Sequence, residues 1–137
     1  VYKSRDLRWR LLDPSFSHGC IELYLRCTNL IALGWGDQQP FGGCTSLLRI
    51  DLSGCPKLES IGGRAFSNCY HLVSVIFGEH SNITSLGNNA FQQCYALTSI
   101  TLPDKLKVIG QAAFAECTSN PNPNKTNFCN KQCQIDG

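Results

Sequence analysis

Nine of the 137 residues are cysteine, and four of them, Cys44, Cys69, Cys94 and Cys117, recur 25, 25 and 23 residues apart. Regularly spaced thiols can ligate a soft metal, pair as disulfides or fill a core. A tetrahedral site needs converging ligands, whereas a ladder at this interval sets the sulfurs in a line. The column therefore reads as packing, with thiols that stay reduced and buried until the chain unfolds. Cys129-x-x-x-Cys133 stands apart from the column. It reads as a disulfide, to each other or to Cys117, that pins the C-terminal segment; the alternative is half of a metal site. Cys27 and Cys55 each precede a leucine by three residues. That gives them equivalent places in neighbouring units and makes them a candidate pair if one unit sits directly on the other. An odd total leaves at least one thiol free or paired between chains.

Other reactive groups do not converge. His18, His71 and His80 are scattered, with neither metal-helix nor triad spacing. Gly42-Gly43 and Gly62-Gly63 fall at turns and match no phosphate-cradling loop. Catalysis needs several polar groups brought into one pocket, so the chain is expected to be no enzyme and to carry no cofactor. Asn82-Ile83-Thr84 and Asn124-Lys125-Thr126 match the N-glycosylation pattern, which ten asparagines produce readily; Asn124 is the more accessible.

The elements that would position these residues follow from a repeat. Phe41, Phe66, Phe91 and Phe114 each precede a column cysteine by three residues. Leu47, Leu72 and Leu97 follow the cysteines, then Ile50, Val75 and Ile100, then Leu52, Phe77 and Leu102. The pairs Leu58/Ile61, Ile83/Leu86 and Leu106/Ile109 come next, each followed by Gly62, Gly87 or Gly110, with Ala65, Ala90 and Ala113 before the next phenylalanine. Agreement at this many positions is the mark of a stacked repeat.

Each unit describes one coil of a solenoid. Alternation around Ile50–Leu52, Val75–Phe77 and Ile100–Leu102 predicts short strands, paired in parallel between coils about 4.8 Å apart. The glycine after the Leu-x-x-Ile pair permits a sharp turn or positive φ. Ala-Phe-x-x-Cys has helical spacing and predicts a helical turn on the back. One coil cannot bury its own apolar edge, so stacking makes the core.

Leu97-Thr98-Ser99-Ile100-Thr101-Leu102-Pro103, Leu106-Lys107-Val108-Ile109-Gly110 and Ala113-Phe114-Ala115-Glu116-Cys117 together resemble one repeat of the BspA-type leucine-rich repeat family. The resemblance covers about Phe41 to Cys117. It implies a curved leucine-rich-repeat solenoid used for adhesion or protein recognition, found in bacterial surface proteins and in many protists and algae. Two units exceed the third by residues at Leu52–Lys57 and Phe77–Asn82, which should swell one edge of the coil.

The expected organisation is an N-terminal cap or extension (1–15), a solenoid (16–117) and an Asn/Pro/Cys-containing tail (118–137). The solenoid divides into a degraded coil at 16–40 and regular coils at 41–65, 66–90 and 91–113. In the degraded coil Leu23, Leu25, Leu30 and Leu33 echo the ladder, and Cys20 aligns with either Cys44 or Leu47. The cap, with Arg5, Arg8 and Arg10 among Leu7, Trp9, Leu11 and Leu12, suits an amphipathic segment. Methionine is absent and the chain starts at Val1, which suggests a processed chain or a fragment.

Composition narrows the function. Apolar residues at 42% and charged residues at 16% describe a globular domain, and a net charge of +2 argues against nucleic acid as partner. No run approaches the roughly 18 apolar residues of a membrane helix, so membrane contact would come through partners or the basic N-terminal segment. Heavy cysteine usage and the family resemblance together favour a secreted, cell-surface or organelle-lumen location. The expected function is non-enzymatic protein recognition or adhesion; the alternative is a structural subunit bridging neighbours in a larger assembly. Residues alternating with the ladder point outward, and the chemically richest of them are Tyr24, Arg26, Arg49 and Asp51, near Trp35. Aromatic and arginine side chains are the usual interface anchors. Trp35 serves either that face or the gap beneath it.

Overall fold

A computed structural model describes residues 2–4, 19–34 and 39–117. The chain winds as a succession of parallel strands stacked coil on coil, with two sheets and a turn-built side. The first sheet runs β1 (Tyr2–Ser4), β2 (Glu22–Leu25), β4 (Arg49–Asp51), β6 (Ser74–Ile76). The second runs β3 (Ala32–Leu33), β5 (Ser60–Ile61), β7 (Ser85–Leu86), β8 (Val108–Ile109). Every pairing is parallel and in sequence order within its sheet, as stacking of like on like requires.

Register settles the degraded coil. Leu23 pairs with Ile50 and Leu33 with Ile61, so it is a full member of the stack. Extending β2 backward on β4 places Cys20 opposite Leu47, not Cys44. The second sheet was not foreseen, because Leu-x-x-Ile followed by glycine shows no alternation long enough to announce a strand. The expected strand at Ile100–Leu102 shrinks to a single bridge at Ile100. Pro103, just beyond, has no amide to donate to the coil before it.

Among the described residues the back of the coils carries no helix, which corrects the helical turns expected there. Alternate amides on this side point along the stack and donate to the next coil. Arg64, Phe66 and Asn68 donate to the carbonyls of Asn88, Ala90 and Gln92 at 2.9, 2.8 and 2.8 Å. Asn89, Phe91 and Gln93 do the same to Gln111, Ala113 and Ala115 at 2.9, 2.7 and 2.8 Å. A helix would turn those amides inward to its own carbonyls. The i, i+3 spacing instead reflects tight turns, such as Ala65 N to Gly62 O at 3.3 Å. Arg64, Asn68, Asn89, Gln93, Ala112 and Glu116 take positive φ between 55° and 63° to make the alternation.

The core is a set of columns. Phe41, Phe66, Phe91 and Phe114 stack with centroids 5.3, 5.3 and 5.5 Å apart and planes within 12°. Phe41, Phe66 and Phe91 are wholly buried. Beside them the thiols of Cys69, Cys94 and Cys117 donate to the carbonyls of Phe41, Phe66 and Phe91 at 3.2, 3.3 and 3.3 Å. Burial pushes the Cys117 thiol up to about 12 and Cys94 higher still, so both stay protonated at neutral pH. The glycines after the Leu-x-x-Ile pairs do not need positive φ. A Cβ on Gly87 would lie 2.4 Å from the amide nitrogen of Gly63, and one on Gly110 2.5 Å from that of Asn88. Close backbone approach between coils is what excludes a side chain there.

The longer corners hold the extra residues. There Lys57 Nζ donates to Asn29 Oδ1 at 3.2 Å and Asn82 Nδ2 donates to the Pro56 carbonyl at 2.7 Å, while Lys105 Nζ reaches Asn82 Oδ1. The Asn82 amide is thus engaged in the stack.

Candidate functional site

Four of the five expected contact residues come together on the outer face of the first sheet. Register sets Tyr24 beside Asp51 and Glu22 beside Arg49, because side chains two apart on a strand share a face. The Tyr24 hydroxyl donates to Glu22 Oε2 at 3.1 Å. The Arg26 guanidinium lies 5.8 Å from the Tyr24 ring centroid, within cation–π range, and its Nη2 reaches Asp51 Oδ2 at 3.3 Å. Its Nη1 donates to the Leu25 carbonyl at 3.0 Å. Asp51 Oδ1 in turn accepts from the Ser53 amide at 2.8 Å and from the Ser53 hydroxyl.

These contacts set the electrostatics. Partial burial pushes the Asp51 carboxyl up, but the Ser53 hydroxyl and amide and the Arg26 guanidinium outweigh it and hold it below its ordinary value. Tyr24 is raised, chiefly because its hydroxyl donates to the Glu22 carboxylate. Two carboxylates and two guanidiniums balance in charge. Arg49 is exposed and is in no ion pair among the described residues. The salt bridge itself is surface-exposed and adds about 1 kcal/mol or less to stability.

An apolar stripe flanks this patch, and the sequence reading missed it. The Leu48 amide donates to Ile21 O at 2.8 Å and the Val73 amide to Leu48 O at 2.9 Å, which stacks Ile21, Leu48 and Val73 in one column. All three are exposed, by 49, 38 and 53%, as is Ile76 at 50% on the sheet face. Large aliphatics left in water in register on successive coils form a continuous patch instead of scattered single exposures. The signal was present in the doublets Leu47-Leu48 and Leu72-Val73, whose first members alone serve the core. Next to the stripe, Tyr70 and Tyr95 stack at 5.2 Å. The serine-rich remainder, Ser74, Ser99 and Thr101, shows no comparable grouping.

Trp35, the cap with Trp9 and its arginines, the Cys129/Cys133 pair, His18 and Asn124 lie outside the described residues. Cys20, Cys27, Cys44, Cys55, Cys69, Cys94 and Cys117 are all buried thiols. Among the described residues no group of three or more His, Cys, Asp or Glu could hold a metal, and no helix is long and apolar enough to cross a membrane. His71, exposed, places Nδ1 2.6 Å from the Thr45 carbonyl of the preceding coil.

Comparison with known proteins agrees with this architecture. The crystal structure of a T. pallidum leucine-rich repeat protein matches at a TM-score of 0.63 and 30% identity, over 75% of this chain and 46% of that one. The chain thus spans about half the length of that relative. Leucine-rich repeat proteins of Bacteroides ovatus and Faecalibacterium prausnitzii, the latter described as a cell-surface protein, match at TM-scores of 0.43 and 0.41. Their identities are 25% and 22%; the matches cover 65% and 85% of this chain, and 27% and 41% of theirs. No curated relative matches the chain. The model of the BspA-type leucine-rich repeat region matches residues 37–134. With parallel coils, a phenylalanine stack and a cysteine column in register, the chain belongs to the BspA-type leucine-rich repeat family.

Proposed function

We propose that the chain is a non-enzymatic protein-recognition module whose contact surface is the outer face of the first sheet. One observation carries the reading: Glu22, Tyr24, Arg26, Arg49 and Asp51 form a charge-balanced patch, with Arg26 held against Tyr24 and Asp51, beside the exposed stripe of Ile21, Leu48 and Val73. Such a surface combines an aromatic and arginine anchors with adjoining apolar area, the composition of interface centres. Arg26 is already placed over Tyr24 and against Asp51, so less side-chain freedom is lost when a partner docks. Membership of the family supports the same reading. Under this proposal the chain works at a cell surface, outside the cell or in an organelle lumen, as its cysteine usage and family suggest.

The continuity of the apolar stripe favours a second reading, a structural subunit whose stripe is permanently covered in an assembly. Native mass of the complex separates the two, because a subunit keeps fixed stoichiometry and a recognition module does not. Replacement of Tyr24 and Arg26 by alanine tests the surface. The expected result is weaker partner binding with a nearly unchanged melting temperature. A sharp fall in the melt, with binding falling only alongside it, would make these residues a structural cap; no change in either would place the contact elsewhere.

A further inference from the structure

Seven described cysteines are thiols, yet they occupy two different settings. In the column, Cys69, Cys94 and Cys117 turn their sulfurs to the phenylalanine carbonyls of the preceding coil. Cys44, Cys69 and Cys94 are fully sealed from solvent. Cys27 and Cys55 face each other instead. Each opens an equivalent turn, closed by Leu30 N to Cys27 O at 3.3 Å and by Leu58 N to Cys55 O at 3.1 Å. The Cys27 amide donates to Cys55 Sγ at 3.5 Å, and the two side chains hydrogen-bond as well. Coils stacked at about 4.8 Å place like positions within the Cα separation that a disulfide accepts. Both residues keep a few per cent of exposure, as Cys20 and Cys117 do, whereas Cys44, Cys69 and Cys94 keep none.

We propose that Cys27 and Cys55 are a modification site, at which a small-molecule disulfide oxidises the folded chain to an inter-coil cross-link. Burial raises the Cys55 thiol above its ordinary value, and the hydrogen bonds from Cys27 and the Arg26 charge only partly offset this. Its sulfur accepts the Cys27 amide, and Cys55 is taken as the attacking sulfur. Its thiolate attacks one sulfur of the oxidant and forms a mixed disulfide, releasing the first small thiol. The Cys27 sulfur then attacks Cys55 Sγ and expels the second. The protein dithiol loses two electrons and two protons; the oxidant gains both, as two thiols. The bond would tie the first coil to the second directly behind the patch, since Arg26 adjoins Cys27 and Ser53, which holds Asp51, lies two residues before Cys55. The site stands whether or not that patch binds a protein.

The test uses the full chain, purified reduced and then exposed while folded to oxidised glutathione. Remaining thiols are capped with N-ethylmaleimide in denaturant and mapped without reduction. The expected product joins Cys27 to Cys55, with Cys44, Cys69 and Cys94 recovered as maleimide adducts. The oxidised chain should melt several degrees above the reduced one, as closure of a loop of this length predicts. Cys27→Ser should halt the reaction at a glutathione adduct on Cys55 that the unsubstituted chain does not accumulate. If that variant fails to fold, the map of the unsubstituted chain decides alone. Recovery of both Cys27 and Cys55 as maleimide adducts, or either one joined to a different cysteine, would overturn the proposal.

Discussion

On the turn side of the coils, the buried positions meet copies of themselves. Phe41 lies on Phe66, Phe66 on Phe91 and Phe91 on Phe114, with a thiol-to-carbonyl ladder beside them. On the outer face of the first sheet the same stacking brings unlike residues together: Glu22 with Arg49 and then Ser74, Tyr24 with Asp51 and then Ile76. The backbone rule is common to both regions. What differs is whether the neighbour is constrained by the core. A buried position must accept its own copy at a fixed spacing, and few residue types do so well. An outward position meets water on one side and is free to vary, so that is where a specific surface can be written on a uniform frame.

Substitutions sharpen this contrast. Phe66 has a stacked ring on both sides, and Phe66→Ala should destabilise by about 3–5 kcal/mol, read as a shift in a thermal or urea melt. An unchanged melt would break the idea that the column is the core. Gly87→Ala should be the next largest, about 1–3 kcal/mol, because the added methyl overlaps backbone of the preceding coil and not a movable side chain. A neutral outcome would mean that the coils can spread without loss.

On the outer face effects on stability should be small. Asp51→Asn should cost about 1 kcal/mol or less, since the Arg26–Asp51 pair is exposed. The pH dependence has a fixed sign. Because Asp51 titrates below its ordinary value when folded, its contribution is complete above the usual carboxylate range and is lost as pH falls through the lowered value. The melts of the unsubstituted chain and Asp51→Asn should therefore differ at neutral pH and converge in acid. A gap that widens on acidification would contradict the assignment.

The same contrast explains what the sequence made legible. Self-matching columns repeat every coil, so Phe, Cys, Leu and Gly positions announced the solenoid, its parallel strands and its buried thiols. The second sheet did not announce itself, because two-residue strands such as Ser60–Ile61 leave no alternation to read. The turn side imitated a helix, because residues three apart also recur in consecutive tight turns and only the direction of the amides separates the two. The glycines were seen and do open tight turns, but without positive φ; the close approach between coils that also demands them was not visible. On the outer face, Tyr24, Arg26, Arg49 and Asp51 were legible once inside and outside positions had been separated. Ile21, Leu48 and Val73 were hidden because an aliphatic residue beside the ladder looks like part of it.

The most direct test of the central claim is site-specific photo-cross-linking in the native source. A photoreactive residue at Arg49 samples the outer face of the first sheet, and one at Lys107 samples an exposed position beside the second. If partners dock as proposed, position 49 should give discrete adducts that disappear on adding Tyr24→Ala and Arg26→Ala, while position 107 gives few and these persist. Equal labelling from both positions, or adducts at position 49 indifferent to Tyr24 and Arg26, would contradict the account.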